Sequence, residues 1–315
     1  MDAPPLKTAE QYESEHYQRT AEIESRAMHG LTYEERAKRE ADFMVQSAGL
    51  DLEPGDKILD LASGIAEHAN IMRTKTEADV DVRELSETLV TQAKSREAIR
   101  QTSSETRGRL DIALGNMGHV LDSIPTDAKY KLITIGGSSF MYLPTEGAHK
   151  KALADYLKLL EPGGKLVLQF RERVKPSDEA ECSKWCRGLG VQIENKKAEG
   201  ESEHFGRFAK SGENVTVLTD TGTGDGFYFY HVDTLPIPHG EGNVPRHSFG
   251  RAYIRSDGSE EDMGPTHIID LMSRVGVEKG LNPMLEQVGF RNIHLEEQPL
   301  SPDGAWHMFA VVAEK

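Results

Sequence analysis

The 315-residue chain has only two cysteines, Cys182 and Cys186, spaced so that a helix would carry both on one face. A structural zinc site normally takes four ligands, and no matching Cys/His pair lies near them in sequence. They therefore read as two ordinary reduced thiols, and no metal is expected. Long apolar runs are also missing: nothing approaches the roughly twenty residues that cross a bilayer. Met1-Asp2-Ala3-Pro4-Pro5 lacks the basic-then-apolar pattern of a secretory leader, so a soluble, cytoplasmic protein is expected. Positive charge is in deficit. Lys and Arg number 37 against 52 Asp and Glu, a formal net charge of −15. Such a field repels phosphate backbones and acidic membranes, and no Lys/Arg cluster with interleaved aromatics offsets it. Neither nucleic acid nor membrane is an expected partner.

Hydrophobic residues at 37% and charged residues at 28% describe a globular chain. Its length suits one large domain, or one domain with an insertion. No internal repeat or low-complexity tract is present.

Residues 8–49 read as helical, with Thr32 and Glu35 in capping-box spacing. Short apolar strand signals follow at Lys57–Leu61, Ala78–Glu84, Leu110–Leu114, Leu132–Gly136 and Lys165–Phe170. Helical segments stand between them at Glu67–Arg73, Ser86–Ile99 and Ala148–Leu160, and Glu161–Gly164 reads as a turn. Alternating strands and helices with short turns predict an α/β fold: a Rossmann-like sheet with helices on both faces. Residues 176–262 change character. Val215–Leu218 and Phe227–Val232 alternate as antiparallel strands do, so this stretch is expected to form an inserted subdomain over the mouth of the main domain. Helices at Thr266–Val275 and Leu281–Val288 and strands at Asn292–Glu297 and His307–Ala313 would complete the chain. The expected division is a helical cap at 1–49, the main domain at 50–175 and 263–315, and the insert at 176–262.

Three segments carry chemistry. Asp60-Leu61-Ala62-Ser63-Gly64-Ile65-Ala66 is a strand running into a turn of very small residues, which lets backbone approach a ligand. It has one glycine where a dinucleotide fingerprint has three, so a nicotinamide or flavin reading is weak. Glu84 ends the second strand about twenty residues on, where an acid accepts both ribose hydroxyls; equally, it is a solvated acid starting a helix. Gly115-Asn116-Met117 follows the third strand. There an Asn meets the edge of an adenine, or simply makes a surface turn.

In this order the segments resemble the class I S-adenosylmethionine-dependent methyltransferases. Ile58–Gly64 is similar to that family's first motif, Glu84-Leu85-Ser86 to its second, Gly115-Asn116-Met117 to its Gly-Asp-Ala segment, and Leu159–Leu168 to its L-x-P-G-G turn and fifth strand. The resemblance spans about residues 40–172. It implies a mixed seven-stranded sheet and S-adenosyl-L-methionine as cofactor, converted to S-adenosyl-L-homocysteine. Asp60, Ala62, Ser63 and Gly64 would form the cradle, with Ala62 and Gly64 against the methionine part. Glu84 would hold the ribose, Leu85 would pack on the adenine, and Asn116 with Met117 would clasp its rim. Gly136 would border the methionine carboxylate and the sulfonium. Ala62 and Ala66 replace glycines usual in the family, a change accommodated if their backbone keeps a negative φ.

Gly136–Pro144 and Leu166–Glu172 further resemble the glycine N-methyltransferases and their relatives. That likeness implies a small carboxylate-bearing substrate, N- or O-methylated, with its carboxylate on Arg171 and with Tyr142 in the active site. Arg171 would otherwise pair with Glu172, Glu67 or another protein acid. Tyr17, Ser139 and His231 complete the expected substrate residues, and Tyr142 or a histidine near the mouth would take a proton. His29 would close over the cofactor or pack on the core. Intramolecular cyclisation, aminocarboxypropyl transfer, a non-catalytic cofactor-binding role and a homo-oligomeric state stay open.

Overall fold

The computed structural model describes residues 21–27, 29–101, 108–173, 188–197, 214–239, 242–254, 256–257, 260–269 and 277–315. Helical residues 21–27 lead to α1 (Tyr33–Ala48), which begins on a complete Thr32/Glu35 capping box and stops at Gly49, whose φ of 55° is left-handed. Tyr17 and the rest of the expected helix before residue 21 lie outside the described residues.

A seven-stranded sheet forms the centre. Its strands are β1 (Lys57–Leu61), β2 (Asp79–Glu84), β3 (Leu110–Leu114), β4 (Tyr130–Ile135), β5 (Leu160–Arg173), β11 (Arg291–Pro299) and β12 (Trp306–Glu314), in the order β11-β12-β5-β4-β1-β2-β3. The first five run parallel, β12 alone runs against them, and β11, antiparallel to β12, shares their direction. Helices α2 (Glu67–Thr76), α3 (Glu87–Arg100) and α4 (Glu146–Leu159) fill the crossovers, and α5 (Asn282–Val288) follows a π-turn at Val277–Leu281. Ile58 and Leu59 are both fully buried although they point to opposite faces. Leu59, Ile133 and Phe309 pack with Tyr156 of α4 and Leu285 of α5, while Ile58, Val80 and Leu132 pack with Met44 of α1 and Met72 of α2. Two covered faces explain why adjacent residues such as Ile58-Leu59 of β1 and Leu132-Ile133 of β4 are both apolar and buried. Because β1 lies between β2 and β4, the strand order reverses there, and a crevice opens at the carboxyl ends of these strands.

Strands β6 (Val191–Lys197), β7 (Asn214–Asp220), β8 (Gly226–His239), β9 (Gly242–Ile254) and β10 (Glu260–Ile269) make a separate antiparallel sheet in the order β10-β9-β8-β7-β6. β10 approaches the turn Ser139–Tyr142 at the mouth of the crevice.

Two local expectations need correction. Thr266–Ile269 is strand, not helix: it pairs with Arg246–Phe249 of β9, so the second sheet runs past residue 262. Ladder pairing and two adjacent isoleucines outweigh the helical spacing read from the sequence, and residues 270–276 lie outside the description. β5 begins at Leu160, which the sequence reading assigns to the end of the preceding helix, and runs to Arg173. Tyr130 pairs with Leu160 and Leu132 with Lys165, so Glu161–Gly164 is looped out as a bulge, with Gly163 at φ 75°.

Candidate active site

At the carboxyl edge of β1 the chain turns through Ala62–Ala66 into α2. Asp60, almost wholly buried, accepts from Thr134 Oγ1 at 2.7 Å and from the Ser63 hydroxyl. Burial pushes its pKa up, against the charge of His68 and these two donors. Asp60 and Ser63 thus brace the turn from beneath, and neither lies on the cavity wall. Gly64, at φ 59°, does. The expectation for the alanines fails: Ala62 (φ 54°) and Ala66 (φ 59°) are both left-handed. The tight turn is kept at a cost of about 1–2 kcal/mol for each Cβ.

A cavity of about 630 Å³ opens in front of this turn, within the usual range for a small-molecule site. Ala62, Gly64, Glu84, Leu85, Asn116, Met117, Ser139 and Tyr142 line it, so eight of the nominated residues converge there. Glu84 is held from both sides. Gly64 N–H donates to Oε2 at 2.8 Å and Ser86 N–H donates to Oε1 at 3.0 Å. Burial raises the Glu84 pKa, and the N–H groups of Ser86, Gly64 and Leu85 oppose that rise. Leu85 is 53% exposed and presents an apolar surface to the cavity. The Asn116 amide oxygen accepts from Gly118 N–H at 2.8 Å, fixing the side chain at the rim. Tyr142 stands at the mouth, 39% exposed. His119 and Lys151, which no sequence motif singles out, also line the cavity, from the turn after β3 and from α4, and Pro144 joins them.

Gly136 and Arg171 are not on this wall. A Cβ at Gly136 would meet His68 Nδ1 at 3.0 Å, so this glycine admits the His68 ring between the β1 and β4 turns. Arg171 donates through Nη2 to Gly137 O at 3.2 Å, behind the loop that carries Ser139 and Tyr142. Its guanidinium also faces Glu40 at 3.2 Å and Glu24 at 3.7 Å. Among the described residues the acids facing it are Glu24 and Glu40, of the helical segment 21–27 and of α1; Glu67 meets Arg96 and Arg100 instead. Glu40 further takes His68 Nε2 at 3.0 Å and lies 3.9 Å from Arg36. Burial, the largest influence, pushes the Glu40 pKa up, yet Arg171, the His68 hydrogen bond and Arg36 together hold it far below the ordinary range. Beside this cluster His29 is buried edge-on to Trp306. His231 pairs with Phe249 in the second sheet, and its side chain lies outside the described residues, as does Tyr17. Among the described residues no group of three metal-ligating side chains occurs, and no helix is long and apolar enough to cross a membrane.

No family model and no curated protein matches the chain. Solved structures do. An S-adenosylmethionine-dependent methyltransferase from Clostridium acetobutylicum aligns at 15% identity over 95% of this chain and 98% of its own, with a TM-score of 0.57. The sugar N-methyltransferase KedS8 from Streptoalloteichus aligns at 14% identity over 100% and 97%, TM-score 0.51. The CcbJ methyltransferase from Streptomyces caelestis aligns at 14% over 87% and 88%, TM-score 0.50. The chain therefore has the Rossmann-like fold of the class I S-adenosylmethionine-dependent methyltransferases.

Proposed function

We propose that the protein is an S-adenosylmethionine-dependent methyltransferase acting on a small polar, carboxylate-bearing molecule. One observation carries the reading. Glu84, its two oxygens each fixed by a backbone N–H, shares a cavity of about 630 Å³ with Gly64, exposed Leu85 and Asn116. Each Glu84 oxygen keeps a lone pair for one hydroxyl of a ribose diol. Leu85 and Met117 offer apolar cover to a purine, and Asn116 offers its polar edge.

The residues beyond this cavity suit the charged end of the same cofactor. Among the described residues both His29 ring nitrogens and Arg36 Nε are buried without hydrogen-bond partners, and they stand beside the ion-paired Glu40. Buried polar atoms seldom stay unsatisfied, and an amino-acid carboxylate and ammonium would satisfy both signs. Bound there, the cofactor supplies an activated methyl group on a sulfonium, already a good leaving group.

What remains for the protein is alignment and exclusion of water. Tyr142 and Ser139, on the cavity wall, orient the acceptor, and Tyr142 relays the proton that an amine loses as its lone pair takes the methyl group. Arg171 holds the acceptor's carboxylate, displacing Glu24, the more distant of its two acids. The sugar N-methyltransferase of the same fold favours nitrogen as the acceptor atom. The reaction is tested by mass spectrometry of products formed from S-adenosylmethionine and a panel of amino acids and amino sugars. S-adenosylhomocysteine with a methylated acceptor is expected. Methylthioadenosine would mean that the methionine side chain is transferred or cyclised. Tight binding without any product would mean a cofactor-binding protein.

A further inference from the structure

The helical residues 21–27 hold two parts of the molecule at once. Glu24 faces Arg171 at the end of β5. Two residues on, Arg26 reaches the second sheet. Its Nη1 donates to Leu189 O at 2.8 Å, just before β6, and its Nη2 donates to the Asp220 carboxylate at the end of β7. The fork is pre-aimed from its own helix, where Nε lies 3.4 Å from the Glu22 carboxylate and donates to Glu22 O. Arg26 and Asp220 are each only 14% exposed, so water screens the pair weakly. The other Asp220 oxygen accepts from Gly222 N–H at 2.8 Å and Thr223 N–H at 2.9 Å, and Thr221 N–H donates to Gly190 O at 2.9 Å. One guanidinium thus locks two adjacent loops of the second sheet to the cap. At its far edge the same sheet approaches Ser139–Tyr142 through β10.

We propose that Arg26 is a positioning residue for the acceptor. It touches neither ligand, but it sets the height of the second sheet over the mouth beside Arg171 and Tyr142. This inference rests on the methyltransferase reading for the identity of the acceptor side, though not for the latch itself. Losing Arg26 leaves the nucleoside cavity intact, because no wall residue of that cavity bonds to it. It frees the sheet and spoils acceptor recognition.

The test uses full-length Arg26→Met and Arg26→Lys. Methionine keeps the bulk and loses all donors. Lysine keeps the charge but cannot grip both loops. In Arg26→Met, the amides of Thr221, Gly222 and Thr223 should exchange with deuterium about tenfold faster or more, as expected for loss of charge-assisted bonds. Acceptor KM should rise by a similar factor, S-adenosylhomocysteine Kd should stay within about twofold, and Arg26→Lys should fall between. Unchanged exchange overturns the latch. Equal shifts in KM and Kd overturn the positioning role and leave a merely structural one. Absence of S-adenosylhomocysteine binding to the wild type defeats the methyltransferase reading, and with it the positioning role, while the exchange rates still judge the latch.

Discussion

Replacing His29 with phenylalanine should flatten the acid side of the stability profile by a calculable amount. His29 is 1% exposed, lies with its ring 4.9 Å from that of Trp306, and has neither nitrogen hydrogen-bonded among the described residues. Burial, then the charges of Arg171 and Arg36, hold its pKa well below the usual value, and Glu40 only partly opposes them. The folded protein therefore keeps a neutral ring while the unfolded chain takes up a proton as pH falls through about 6.5. More protons on the unfolded side mean that stability drops with acidity. Between about pH 7.5 and pH 5.5 this one group removes about 1.4 kcal/mol, provided the folded ring stays neutral throughout. Carboxylates such as Glu40 stay ionised in the fold over that window and are common to both proteins, so they cancel in the comparison. Phenylalanine keeps the ring packing on Trp306 and breaks no hydrogen bond. Urea titrations of both proteins at the two pH values measure the difference. Parallel losses in wild type and His29→Phe would refute the claim that this ring is neutral and closed to solvent.

Three further outcomes follow from the geometry. Glu84→Ala should weaken S-adenosylhomocysteine binding by about 1–3 kcal/mol, read by calorimetry, because it strips the diol acceptor and releases Gly64 N–H; an unchanged Kd would contradict its placement on the ribose. Ala66→Gly should raise stability by about 0.5–1 kcal/mol in thermal melts, since relief of the left-handed Cβ (about 1–2) exceeds the added freedom of the unfolded chain (about 0.4–1); a loss would show that φ 59° is unstrained there. Arg171→Ala should destabilise by about 3–5 kcal/mol by leaving buried Glu40 undercompensated, and Glu40→Gln added to it should restore part of that loss, as a double-mutant cycle would show.

The residues proposed to hold the nucleoside were legible because their chemistry is local in sequence. Asp60–Ala66, Glu84-Leu85 and Asn116-Met117 each end a strand, and consecutive parallel strands bring their carboxyl ends together. Even there the backbone hid its strain: Ala62 and Ala66 are small, but nothing in their identity announces a positive φ. The charged cluster around Arg171 was opaque. Glu40, His68 and Arg171 are far apart in the chain and meet only because α1 and β5 pack together. The sequence therefore showed that Arg171 needed a partner without showing which. Thr266–Ile269 illustrates the same limit for secondary structure, since pairing with β9, which no local pattern reports, joins its two isoleucines in making it a strand.

The most direct test of the account is isothermal calorimetry of S-adenosylhomocysteine with the wild-type protein and with Gly64→Val. Valine would have to adopt φ 59°, a conformation strongly disfavoured for a β-branched residue, on the cavity wall. One binding event per chain in the wild type, lost in a folded Gly64→Val, is predicted. No heat from the folded wild type with either S-adenosylhomocysteine or S-adenosylmethionine would contradict the account at its root.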